Sequence, residues 1–340
     1  MGRSLRTFAA YSQPFVVKNA RYATSGCPFS KRQRSQIAPT AELSEEIFSN
    51  AKPYSEVPGP RPIPILGNTW RMVPIIGQFD ISEFAKVTQH FLDTYGRIVR
   101  LGGLIGRPDL LFVYDADEIE RMYRREGPTP FRPAMPCLVK YKSEVRKDFF
   151  GELPGVVGVH GDQWRRFRSK VQRPILQPQT VKKYVAPIEM VTEDFLKYME
   201  NARDENGDLP HEFDNDIHSG NGRTLQEDDV ICGYHIPKGV QVVFPTIVTG
   251  NMSQFVSNPE EFKPERWLES DGRLHPFASL PYGFGARICL GRRFADLEIQ
   301  ILLAKLIRRY RLEYHHEPLD YAVTFMYAPD GPLRLRMIER

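Results

Sequence analysis

The stretch LPYGFGARICLGRRFADLEI, Leu280 to Ile299, decides how this chain is read. It surrounds one cysteine, Cys289, with Gly283, Gly285 and Gly291, sets Arg287 two residues before it, and runs directly into an apolar, helix-forming segment. A thiol at the start of a helix faces unsatisfied backbone N–H groups and the positive end of the helix dipole, and both favour a thiolate. Thiolates are good ligands for iron. The glycines remove side chains where a large flat cofactor must approach the backbone, and Arg287 can neutralise an anionic edge of such a cofactor. The helix from Phe294 onward, carrying Leu297, Ile301, Leu302, Leu306 and Ile307, is expected to anchor the loop in the core. A lone cysteine is more often a buried structural residue. Against that, typical residue frequencies put a chance G-x-R-x-C-x-G match on the order of a few per million positions, and Gly285, Arg287, Cys289 and Gly291 complete the pattern.

Composition narrows the setting. With 340 residues, 41% hydrophobic and 26% charged, the chain is of ordinary globular type. Its four cysteines (Cys27, Cys137, Cys232, Cys289) are far apart with no C-x-x-C pair, which argues against a disulfide-stapled module and against a cysteine-rich zinc site. The net charge of +4 comes from the leader, where seven basic residues precede the first acid, Glu42; over the remainder acids outnumber bases. No nucleic-acid surface is expected from such a body. The leader is rich in Arg, Ser and Ala and lacks the long apolar run of a signal peptide or anchor. It reads as a mitochondrial transit peptide within residues 1–45.

Along the rest, alternating prolines at 58, 60, 62 and 64 predict a stiff, extended strap. Ile81 to Tyr95 predicts a helix, RIVRLGGL followed by DLLFVYD a hairpin, and DADEIERMYRREG another helix. In GDQWRRFRSKVQRPIL, Asp162 is placed to cap a helix on which Trp164 and Arg168 share a face. Pro187 should interrupt the helical run 181–200. After a polar seam, DDVICGYHIPKGVQVVFPTIV predicts a hairpin turning at Pro237-Lys238-Gly239, and DGPLRLRMI a last strand.

At these residues the chain resembles the cytochrome P-450 superfamily, the haem-thiolate monooxygenases. The signature F-x-x-G-x-R-x-C-x-G is met except that Tyr282 stands in place of Phe, which brings a hydroxyl near the thiolate. Trp164 and Arg168 match the family's W-x-x-x-R helix, and Phe262 to Trp267 (FKPERW) its P-E-R-F/W segment. The resemblance implies a mainly α fold with small β-sheets, α+β, internally truncated, with the N-terminal part of the haem domain at 46–218 and the C-terminal part at 219–340. It implies haem b with Cys289 as axial ligand, Trp164, Arg168 and Arg287 on the propionates, and Tyr282, Gly285 and Gly291 beside the cofactor. It further implies a structural role for Arg266, and a ferredoxin (adrenodoxin-like) received by Arg292 and Arg293, a pair that reads equally as a solvated helix face. The substrate would be a small apolar molecule. The leader points to the mitochondrial branch, on the matrix side of the inner membrane with a peripheral contact to it.

The family's oxygen-side helix and its E-x-x-R helix are not found in context. Glu118-x-x-Arg121 and Glu200-x-x-Arg203 fall in the wrong places and read as surface helix charges. The missing block maps between His218 and Ser219. Arg266 would then lack its usual partners, and a buried charge so stranded costs about 3–5 kcal/mol. The alternative to a monooxygenase is therefore a catalytically inactive, truncated isoform that fails to form a proper haem site.

Overall fold

The alternating segments before and after Gly102-Gly103 form an antiparallel pair, β1 (Ile98–Leu101) and β2 (Leu110–Val113), with Val99 opposite Phe112. In this computed structural model, which describes residues 45–132, 139–151, 156–203, 221–259, 261, 263–267, 275–317, 321–323, 327–329, 331 and 334–340, that pair is half of a four-stranded sheet. β2 runs parallel to β6 (Gln241–Phe244), which pairs antiparallel with β3 (Asn221–Thr224), giving the order β1-β2-β6-β3. The sheet thus joins strands from both sides of the seam. The leader up to residue 44, Cys27, Cys137, Phe262 and the junction at His218 and Ser219 lie outside the described residues.

Period-two alternation lets the apolar residues of β1, β2 and β6 serve a core on each face of the sheet. Ile98, Leu111, Val113, Val242 and Phe244 face one core, where Ile119 and Tyr123 of the helix Ala116–Arg125 pack with Phe277 and Leu280. Val99, Leu101 and Phe112 face the opposite core under Phe91 of the helix Phe84–Tyr95. The helix Ala116–Arg125 starts where expected, its Asp115 carboxylate accepting from the N–H groups of Asp117 and Glu118. Leu280 therefore ties the beginning of the thiol loop into the first core.

A third cluster joins the helix Val185–Ala202, the helix Arg292–Arg309 and the pair β7 (Tyr310–Glu313) and β10 (Arg336–Glu339) through Leu196, Met199, Leu306, Tyr310 and Met337. Here the structure corrects the expected anchor. Of the proposed stripe only Leu306 is buried, whereas Ile299, Leu303 and Ile307, spaced four apart, are 52%, 46% and 51% exposed. The helix buries its C-terminal half in this cluster, while its first turns are held by Phe294 against the Tyr184 ring.

Other expectations change with tertiary context. The turn at Pro237-Lys238-Gly239 joins two separate sheets; the hairpin is β4 (Asp229–Ile231) with β5 (Tyr234–Ile236), turning at Cys232-Gly233, both with positive φ, as a tight two-residue hairpin requires. A further pair among the described residues is β8 (Tyr321–Val323) with β9 (Tyr327–Pro329). The helix Gly161–Leu176 has His160 at its N-cap without a side-chain cap, and Asp162 sits inside the first turn, where its charge still suits the dipole. Interruption near Pro187 falls at Tyr184, so that Pro187 lies in the first turn of the next helix, where it costs little.

The two accidental E-x-x-R pairs are not surface charges. Arg121 bonds Glu118 at 2.8 Å and Asp229 at 3.0 Å, tying its helix to β4, while Glu200 accepts from Tyr310 and pairs with Arg309 at 2.8 Å. Nor is Arg266 stranded. Half-buried, it donates to the carbonyls of Ser257, Asn258, Glu261 and Lys263, so its own loop supplies the acceptors and the expected penalty does not arise. The resulting architecture is helical with small sheets, α+β, as anticipated. Among the described residues no helix is long and apolar enough to cross a membrane.

Candidate functional site

Two motifs far apart in sequence meet around Cys289. The Arg287 guanidinium lies 3.7 Å from the centre of the Trp164 ring, and its N–H groups donate to the carbonyls of Pro130 (3.0 Å) and Val159 (3.1 and 3.2 Å). Arg168, one turn along the same helix as Trp164, donates to the carbonyl of Ile288 at 2.6 Å and to Gln172 at 2.8 Å. The W-x-x-x-R helix is therefore stapled to the residue preceding the thiol. Trp164, Arg168 and Arg287 are all buried.

The loop itself is closed by the N–H of Ile288 donating to Gly285 and that of Cys289 donating to Tyr282 at 2.9 Å. Gly283 and Gly285 have φ of 72° and 73°, a conformation L side chains rarely adopt. A Cβ on Gly285 would also stand 3.1 Å from the Glu126 carboxylate, whereas Gly291 has φ −83° and open space around it. Neither backbone nor neighbours demand glycine at 291. Cys289 is exposed.

Tyr282 has a partner that the sequence pattern did not announce. Its hydroxyl donates to Asp296 at 2.8 Å, bracing the loop against the following helix. Burial, then Asp296 and Cys289, push this phenol up to about 12. Arg292 and Arg293 occupy the first turn of that helix, which has no acid there; positive charge at this end opposes the helix dipole by about 0.3–1 kcal/mol each.

Electrostatics mark the site further. Burial, then Arg223, Arg132 and Arg168, hold Arg287 down to about 10, with Glu126 the opposing carboxylate. Arg132 and Arg168 are likewise lowered by burial, and negative charge on Cys289 raises both. Glu126 pairs with Arg223, yet burial keeps its carboxyl above the usual range. Glu126, Arg132, His160 and Arg223 escaped the sequence reading. Only His160 carried a signal, its position just before the Trp164 helix; the others sit in loops and strands with no motif around them.

His160 stacks on Phe131 with ring centroids 4.0 Å apart and lies 3.3 Å from an Arg287 nitrogen. Burial and Arg287 hold it below the ordinary imidazole value, so it accepts from the guanidinium. A lowered folded pKa means that the unfolded chain binds the proton more tightly; stability is whole above about pH 6.5 and declines as pH falls below it. A His160→Gln chain keeps an acceptor and cannot titrate. Its melting temperature should fall less steeply than the parent's between about pH 6.5 and 5, and equal slopes would remove His160 from this account.

Comparison with known proteins gives consistent matches. A family model described as Cytochrome P450 matches residues 215–329. The chain is 42% identical to "Probable cytochrome P450 301a1, mitochondrial" of Drosophila melanogaster over 98% of this chain and 95% of that protein. It is 28% identical to "Probable cytochrome P450 49a1" of the same organism over 88% and 85%, and 38% identical to "Probable cytochrome P450 CYP44" of Caenorhabditis elegans over 32% and 22%. The first alignment spans 527 positions although this chain has 340 residues, so a large part of that relative has no counterpart here.

Proposed function

Because the chain belongs to the cytochrome P450 family, we propose that it holds haem b on Cys289 and acts as a monooxygenase, inserting one atom of O2 into a small apolar molecule with electrons from a ferredoxin. The bound haem would supply the oxygen chemistry, and the protein its position and electrostatics.

The observation that carries this reading is the imbalance of charge beneath the thiol loop. Arg132, Arg168, Arg223 and Arg287 converge there, and the Glu126 carboxylate faces Arg223 and Arg287. Buried like charges repel strongly, and a cofactor bearing two carboxylates relieves that repulsion. Arg287, Trp164 and Arg168 would hold the propionates, with Arg132 and His160 close by. Gly285 and Gly291 would let the macrocycle lie against the backbone, Tyr282 would brace the loop from behind, and Arg266 would keep its own loop in shape. Arg292 and Arg293, placed against the helix dipole, suit an acidic ferredoxin. The "mitochondrial" names of several relatives and the acid-free leader support residence in mitochondria on the matrix side. In domain terms, 1–45 would hold the transit peptide and leader, with 46–218 and 219–340 as the two parts of the haem domain.

A second reading has its own support. The stripe Ile299, Leu303, Ile307 left open on the helix after the thiol, together with the long unmatched part of the first relative, suits a truncated, inactive isoform. The full chain produced with haem supplied separates the two. A red-shifted Soret band in the reduced, carbon-monoxide-treated protein supports the monooxygenase reading; a folded chain without that band supports the truncated isoform.

A further inference from the structure

The helices Val185–Ala202 and Arg292–Arg309 pack on each other through Leu196, Met199 and Leu306. Lys305 pairs with Glu193, and one turn further on Arg309 pairs with Glu200 at 2.8 Å, so the two helices run parallel. On the first helix, Glu193 and Glu200 stand to one side of the buried Thr192, Leu196 and Met199, and Val191, Phe195 and Tyr198 to the other. On the second, Lys305 and Arg309 stand to one side of the buried Leu306, and Ile299, Leu303 and Ile307 to the other. Because the ion pairs close one edge of the helix pair, both apolar stripes emerge along the opposite edge.

That edge is open. Val191 and Tyr198 are 68% and 60% exposed, alongside the exposed Ile299, Leu303 and Ile307, and Phe195 stacks on Tyr198 with ring centroids 6.4 Å apart. Ile188, Ala202 and Gln300, which share these flanks, carry no charge. The five open side chains present about 500 Å² of apolar surface, well over half of the roughly 800 Å² that each partner gives to a standard interface. A contiguous patch of that size marks an association surface.

We propose that this edge joins a second copy of the chain. Two packed helices with one apolar edge are half of a four-helix bundle, and a twofold axis lays an identical half upon it. The charges beside the seam are already paired within the chain, so the open face has none with which to select a charged foreign partner. Its polar rim completes the area that a stable dimer needs. The inference rests on the two stripes and is the same for either reading of the haem site.

Sedimentation equilibrium of the full chain, without detergent, tests it. The parent should be a dimer at about 10 μM. Val191→Lys and Leu303→Glu lie on different helices at exposed positions, and each should weaken association by about a hundredfold or more, since both copies would bury a charge. Met190, 70% exposed, points away from the stripe, so Met190→Lys should leave the dimer intact. Thermal melting checks that the variants fold, and if one does not, the other decides. A monomeric parent would overturn the proposal, as would a parent that grows into open-ended aggregates. So would dimers that survive both stripe substitutions, or a Met190→Lys chain that dissociates as readily as they do.

Discussion

A Cys289→Ser chain loaded with haem is expected to lose the red-shifted Soret band of the reduced, carbon-monoxide-treated protein completely. Sulfur is the atom that makes the band diagnostic, since a thiolate donates far more electron density to iron than a serine hydroxyl can. The substitution is well suited to isolating that role. The loop's conformation rests on Gly283 and Gly285 at positive φ and on the Cys289 N–H donating to Tyr282, none of which involves the side chain. Because the residue is exposed, melting should move by no more than about 0.5 kcal/mol in stability. The arginines would remain, so residual pigment with an unshifted band is the expected outcome. A serine chain that keeps the parent band would remove Cys289 from the axial position, and the haem-thiolate reading with it.

Glu126→Ala is expected to destabilise the folded chain by about 3–5 kcal/mol, as removal of one member of a buried ion pair does. Arg223 and Glu126 are each only 8% and 11% exposed at the side chain, and the pair links Asp115's helix, through its C-cap, to β3. Without the carboxylate, Arg223 would retain the carbonyls of Gly222 and Phe284 and the Tyr123 ring, while Arg287 loses the carboxylate that opposes its surrounding arginines. Burial already raises the Glu126 carboxyl, so the pair is held together by scarcity of partners as much as by attraction. Glu126→Gln preserves shape and one acceptor and should cost less. Chemical denaturation with and without haem tests both points. If bound haem brings its propionates to these arginines, the penalty of Glu126→Ala shrinks in the loaded protein. An equal penalty in both states would mean that the cofactor's acids lie elsewhere.

What could be read without the fold was chemistry carried by local pattern. Gly285, Arg287, Cys289 and Gly291 announce themselves because they recur at a fixed spacing along a few residues of backbone. Likewise Trp164 and Arg168 share a face simply because a helix repeats every 3.6 residues. The β1–β2 hairpin was legible for the same reason, as alternation and a glycine turn lie within one short segment. Arg121, Glu200 and Arg266 looked like idle or stranded charges because their partners, Asp229, Tyr310 and the carbonyls from Ser257 to Lys263, follow no periodic rule. The Pro237 to Gly239 turn was visible, but the destination of each strand was not.

The chain's residues by themselves determined the thiol, its loop and the family, since those depend on short-range geometry that spacing encodes. Only the tertiary structure decided which charges surround that thiol. Glu126, Arg132 and Arg223 come to Cys289 from separate segments, and burial of a charge depends on everything packed around it. It also decided that the helix after the thiol leaves Ile299, Leu303 and Ile307 open. An apolar stripe states that a partner is wanted, whereas the presence of one is a property of the folded whole.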